Sequence, residues 1–181
     1  MSFLQLNEND GASMYIKHSF QLGKFVVSDE PLDVEYMLIH PDFRTGWGQY
    51  KDGQFLWEWD KTQGVARSDK AELIADGYNR AFAARVYIKE KGVYVWQRFS
   101  KLEGQSFDDA VSAAWKDKED GKVPCFKYEG SEKISLGSGA KGYVAKLSYV
   151  KWVDKPADFD EIVEEQVDSQ GDNNEDDLIP F

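Results

Sequence analysis

Arg85-Val86-Tyr87-Ile88-Lys89-Glu90-Lys91-Gly92-Val93-Tyr94-Val95-Trp96-Gln97-Arg98 is the stretch that decides the fold class. Two runs rich in β-branched and aromatic residues flank a Lys-Gly step, the pattern of two strands joined by a tight turn. With Lys91-Gly92 as the turn, Glu90 pairs with Val93 and the register follows by counting outward. Tyr87 then faces Trp96, and Arg85 faces Arg98. Side chains alternate between the faces of a strand, so Val86, Ile88, Val93 and Val95 are expected on the core side. The other face is expected to carry Arg85, Tyr87, Lys89, Tyr94, Trp96 and Arg98. Aromatics flanked by cations suit the stacking of bases along a phosphate track. Arg85 opposite Arg98 adds to this, because like charges across a strand pair repel unless an anion lies between them. Tyr78–Lys101 holds six bases, Arg80, Arg85, Lys89, Lys91, Arg98 and Lys101, against the single acid Glu90. The structural alternative is a cross-strand pair of Tyr87 and Trp96 beneath snorkelling Arg and Lys chains.

Working outward, Gly46–Asp60 contains Asp52-Gly53 between aromatic runs, a strong hairpin signal. Tyr50 then faces Phe55, Gly48 faces Trp57 and Gly46 faces Trp59. An indole lying over bare glycine backbone covers it, which assigns Trp57 and Trp59 a structural role. Trp47 lies on the opposite face, near Arg44 and Lys51, as a second stacking candidate. Strands are also expected within Tyr15–Val27 (with Gly23 as bulge or turn), Val34–His40, Val123–Tyr128 and Tyr143–Val153. Phe107–Lys116 reads as the one clear helix, capped by Ser106 or Asp108. Strands, one helix, then two strands is the order of an OB-fold. The expectation is therefore a mainly β domain over 1–153, an OB-fold-like five-stranded barrel with extra N-terminal strands and one helix. A generic α+β domain is the alternative. Gly137–Gly142 lacks the spacing of a phosphate-binding loop. It reads as a connection that borders a groove, which adds Lys141, with Lys133 and Lys146 secondary.

Charge divides the chain. The net charge is −11, yet Asp154–Phe181 carries eleven acids and one base, while residues 1–153 hold 22 acids and 21 bases. Residues 154–181 are expected to form a flexible acidic tail, and the near-neutral body is free to carry a basic groove. Cys125 is the single cysteine, and His18 and His40 are far apart, so neither a disulfide framework nor zinc spacing is present. No catalytic, metal-binding or cofactor pattern stands out, and an enzyme is not expected. No apolar run approaches the roughly 18 residues of a membrane span. The start of the chain lacks the basic segment of a secretory signal, and a cytoplasmic protein is expected.

The chain closes on Asp176-Asp177-Leu178-Ile179-Pro180-Phe181. This tip resembles the Asp-Asp-Asp-Ile-Pro-Phe terminus of bacterial single-stranded DNA-binding proteins, and phage proteins of that function likewise end in an acidic tail with a terminal Phe. The likeness covers six residues, and Leu178 stands where the bacterial pattern has a third Asp. It implies sequence-independent binding of single-stranded DNA in replication, recombination and repair. It further implies capture of the tip by partner proteins with an apolar pocket ringed by Arg or Lys. The oligomeric expectation is a monomer or homodimer with no membrane partner. Two rival readings are an acidic DNA-mimic inhibitor and a metal-dependent nuclease or recombination accessory enzyme.

Overall fold

The computed structural model describes residues 15–135, 137 and 139–159. The tip Asp176–Phe181 and the tail beyond Phe159 lie outside the described residues. The strands are β1 (Tyr15–Ser19), β2 (Lys24–Val27), β3 (Glu30–Pro31), β4 (Tyr36–Ile39), β5 (Arg44–Lys51), β6 (Gln54–Trp59), β7 (Asn79–Ile88), β8 (Gly92–Arg98), β9 (Lys122–Ser135) and β10 (Lys141–Asp154). Among the described residues two helices interrupt them, α1 (Lys70–Ala75) and α2 (Lys101–Trp115).

All the strands join one sheet in the order β10-β9-β4-β7-β8-β1-β2-β3, with β5 and β6 branching from β7. β7 is the spine. Its end, Val86 to Ile88, pairs with β4, and its start, Asn79 to Ala83, pairs with β5 on the same edge. Pro41 falls between β4 and β5, where it has no N–H to give a ladder. The sheet forks there, one arm running to β9 and β10 and the other to β6. β1 enters parallel to β8 through Tyr15–Val95 and Ile16–Trp96. The turn after β1 reaches the start of β10, where Tyr143 N–H donates to Phe20 O at 3.0 Å.

The mainly β expectation matches this architecture. The expected five-stranded barrel does not, because the sheet has ten strands and its ladder is not closed. Of the two readings of Gly23 within Tyr15–Val27, bulge or turn, the turn is the one observed: its φ is 70°, and the stretch folds back into β1 and β2.

The core lies between the curved sheet and α2. Ile16, Phe25, Met37, Ile39, Val86, Ile88, Trp96 and Phe126 meet Phe107, Ala110 and Ala114 of the helix. Apolar positions at Phe107, Ala110, Val111 and Ala114 recur at helical spacing and form its buried face. The helix starts earlier than its expected cap at Ser106 or Asp108. Ser100 is the N-cap, and its hydroxyl accepts from Glu103 N–H. At the other end of the body, Phe159 follows β10 and is fully buried.

Candidate nucleic-acid interface

The hairpin of β7 and β8 has a register different from the expected one. Ile88 pairs with Gly92, Val86 with Tyr94, Ala84 with Trp96 and Phe82 with Arg98. The turn is Lys89-Glu90-Lys91, closed by Lys91 N–H to Ile88 O at 2.9 Å, and Glu90 adopts φ 69°. The pairing is offset by an odd number of residues, which moves every β8 side chain to the other face. Tyr94, Trp96 and Arg98 therefore join Val86 and Ile88 on the core side, and the expected cation-aromatic face is not assembled.

Their environments follow from that. Trp96 is fully buried, edge-on to Phe25, Phe82 and Phe107. Its indole N–H donates to Glu103 Oε2 at 2.8 Å, and the backbone N–H of His18 donates to the same oxygen at 2.8 Å. Arg98, 4% exposed, donates from Nε to Glu103 Oε1 at 2.7 Å. Tyr94 is half-buried against the core, and burial raises its hydroxyl pKa. Trp47 is buried too, with Arg80 lying 4.9 Å from its ring centroid, so it offers no stacking surface. Arg80 in turn pairs with Asp60 at 2.8 Å.

A row of stacked, partly exposed aromatics lies on the first hairpin instead. The register expected for β5 and β6 is the one observed, Gly46 with Trp59, Gly48 with Trp57 and Tyr50 with Phe55. The Trp57 and Trp59 planes are 4° apart with centroids 5.4 Å apart, an offset stack. Phe55 continues the row at 6.4 Å and 19° from Trp57, and Tyr50 meets Phe55 edge-on at 4.8 Å. Arg44 closes the other end with its guanidinium 4.3 Å from the Trp59 centroid. Phe99, just beyond β8, touches both Phe55 and Trp57 from the side. The floor is bare: a Cβ on Gly46 would come within 2.6 Å of Trp59, and one on Gly48 within 2.7 Å of Trp57. The neighbouring strand adds Asn79, Ala81 and Ala83, opposite Gly48, Gly46 and Arg44. Phe55, Trp57 and Trp59 are half-buried, Phe55 and Trp57 packing against Tyr15 and Val95, and Tyr50 is 48% exposed, so the five-residue ladder is partly accessible.

The same sheet face continues across β7, β4 and β9. Arg85 is ion-paired with Asp42, whose other carboxylate oxygen lies 2.6 Å from His40 Nδ1. Burial would raise the Asp42 carboxyl, but the contacts from His40 and Arg85 hold it below the usual range. Tyr87 sits 5.8 Å from Phe159, which also meets His40 at 5.1 Å. Beyond them, Lys89 lies 5.7 Å from the Tyr36 ring, and Tyr36 pairs with Lys127. Cys125 pairs with Leu38 and with Lys151. Burial raises its thiol pKa, and the charges of Lys151 and Lys89 oppose that rise. Lys89, Lys127 and Lys151 thus form a basic margin on the ladder's side of the sheet.

Of the residues expected to bind, Arg85, Tyr87 and Lys89 share this face, while Tyr94, Trp96, Arg98 and Trp47 do not. Lys51 and Lys141 are exposed at strand ends. Lys146 pairs with Glu132, and Lys133 lies over Tyr143. The ladder went unassigned to binding because glycine opposite tryptophan reads equally as backbone cover. Its signal was the uninterrupted alternation Phe55, Trp57, Trp59 beside Arg44. Among the described residues, no three His, Cys, Asp or Glu side chains come together as a metal site. No helix among them is long and apolar enough to cross a membrane. Comparisons with protein-family models, curated proteins and solved structures find no match to this chain.

Proposed function

We propose that this is a single-stranded DNA-binding protein that coats exposed strands without sequence preference. The observation that carries the reading is the ladder from Arg44 through Trp59, Trp57 and Phe55 to Tyr50, open on one sheet face. Every base has a π-face, so such a row accepts any sequence, and the basic margin of Lys89, Lys127 and Lys151 offers phosphate contacts. Splayed bases are required, which favours single strands over duplex.

The strand succession supports an OB-like core. If β4 and β5 are taken as one bent first strand, then β7, β8, α2, β9 and β10 follow in the OB order, with the helix between the third and fourth strands. β1 then occupies the seam where the third and fifth strands of an OB-fold would meet. Oligonucleotides bind OB-folds beside strands two and three and the loop after strand one, and β6 with its ladder belongs to that loop. The acidic end of the sequence is read as a recruiting device. Asp176–Phe181 offers an apolar hook flanked by acids to replication, recombination or repair proteins in the cytoplasm of a bacterial or phage-infected cell.

Titration with poly-dT tests the reading. Trp57→Ala and Trp59→Ala are each expected to weaken binding by about 1–3 kcal/mol. Arg44→Ala should lower the slope of log affinity against log salt by about 0.7. Folded Trp variants that bind poly-dT like the unaltered protein would overturn the assignment. Cleavage of the oligonucleotide in magnesium would replace it with the nuclease reading.

A further inference from the structure

On the core side of β8, a cavity of about 260 Å³ opens between the end of β1, the start of α2 and the start of β10. Lys17, Ser19, Gln21, Arg98, Ser100 and Tyr143 are among its walls. Glu103 also lines it, but its carboxylate is committed: Oε1 accepts from Arg98, and Oε2 accepts from Trp96 and from the His18 N–H. Lys17 is placed differently. Its side chain is 21% exposed, while its ion-pair partner Asp29 stands 3.9 Å away with its own side chain 87% exposed. The ammonium is withdrawn from water and the counter-charge is left in it. Burial lowers the Lys17 pKa and the neighbouring charge of Arg98 lowers it further, against the opposing charges of Asp29 and Glu103.

Arg98 is matched by Glu103, whereas Lys17 has the exposed Asp29, also on the cavity wall, at 3.9 Å, a loose pairing that a better-placed anion would improve on. Two hydroxyls on the wall have protons to offer it. Ser19 Oγ accepts from Leu22 N–H and Ser100 Oγ accepts from Glu103 N–H, and each keeps its own O–H as a donor.

We propose that this cavity is an oxyanion site for a phosphate-class ligand, with Lys17 as its charged contact and Ser19 and Ser100 as donors. The volume is below the roughly 300–1,000 Å³ of sites that enclose whole drug-sized molecules, which suits a single phosphate group. That group has two natural sources, a free small phosphate or the terminal phosphate of a nucleic-acid strand. Phe99 touches the ladder on one face of the sheet, while its chain neighbours Arg98 and Ser100 line the cavity on the other.

The test uses the full chain and two variants, Lys17→Gln and the control Lys24→Gln on the exposed side of β2. Thermal unfolding is followed in inorganic phosphate and in chloride at equal ionic strength. The expected result is a higher midpoint in phosphate for the unaltered protein and for Lys24→Gln, with phosphate affinity about tenfold weaker in Lys17→Gln. Oligonucleotides with a 5′-phosphate or a 5′-hydroxyl then separate the sources. Tighter binding of the phosphorylated strand, abolished by Lys17→Gln, identifies the strand end. Equal binding of the two strands with phosphate protection intact identifies the free anion. Equal midpoints in phosphate and chloride, or equal protection of Lys17→Gln, overturn the site. Trp57→Ala leaves phosphate protection unchanged, so failure of the ladder and failure of the cavity are told apart.

Discussion

Trp96 and Glu103 are joined inside the core by a hydrogen bond of 2.8 Å from indole N–H to carboxylate. A buried indole keeps its place when its one polar atom is satisfied, and here the same carboxylate also anchors Arg98. β8 is thereby fixed with its aromatic side inward.

Trp96→Ala should lower stability by about 3–5 kcal/mol, the usual cost of deleting a large aromatic from a core. Under conditions where the variant remains folded, its affinity for single-stranded DNA should stay near that of the unaltered protein. Urea unfolding and poly-dT titration on one preparation check both halves. A stable variant with weakened DNA binding would restore Trp96 to the interface.

The ladder depends on its bare floor. A Cβ at Gly46 would meet the Glu58 carbonyl oxygen at 2.6 Å, whereas at Gly48 the nearest atoms are ring carbons of Trp57 and Phe99. Gly46→Ala should therefore cost more stability than Gly48→Ala, with overpacking of this kind worth about 1–3 kcal/mol. Gly48→Ala should tilt Trp57 and weaken DNA binding while the fold persists. Denaturation midpoints and the quenching of Trp fluorescence by DNA would establish the ranking.

His18 gives a pH dependence of stability. It is buried, its Nε2 lies 2.9 Å from the Tyr128 hydroxyl, and burial lowers its pKa from the ordinary 6.5 to about 4, against the opposing charge of Glu103. Between those values the unfolded chain binds the proton and the folded chain does not. The contribution is therefore complete above pH 6.5 and is lost as pH falls towards about 4. At about 1.36 kcal/mol per unit the loss is about 3 kcal/mol. His18→Gln should remove that part of the slope, measured by urea unfolding at pH values across this window. An unchanged slope would show that His18 binds its proton equally well in the folded and unfolded chain.

Phe159 separates the body from the acidic sequence after it. Its ring is buried against His40 and Tyr87, so a chain ending at Phe159 should unfold like the full one, while Phe159→Ala should lose about 3–5 kcal/mol. The shortened chain should bind single-stranded DNA more tightly at low salt, where a tethered run of acids competes best for a basic surface. Equal affinities of the two chains at low salt would remove the competition.

The two hairpins show where a sequence is legible. Asp52-Gly53 supplies both left-handed residues of a two-residue turn, with φ of 54° and 80°, so the register of β5 and β6 could be counted from the turn. In the second hairpin the left-handed residue at the turn is Glu90, a type that pays a steric penalty there and gives no cue. Gly92 drew the turn towards itself, and the odd offset exchanged the faces of β8. The start of α2 was readable in Ser100-Lys101-Leu102-Glu103, a capping-box spacing, but Gly104 disguised it. Arg98 and Glu103 were not readable as a buried pair, because only the folded sheet brings them under Trp96.

The parallel seating of β1 against β8 sets the order in which the molecule can be built. β1 is the first of the strands to be synthesised, yet Tyr15 and Ile16 find their ladder only on Val95 and Trp96. The β10 residue that receives the end of this strand, Tyr143, is made later still. At roughly 5–20 residues per second of synthesis, the β1–β2 hairpin waits several seconds for its neighbours. During that interval Ile16, Phe25 and Val26, all buried in the finished protein, face water. The pairing of β1 therefore closes only after β8 has been made.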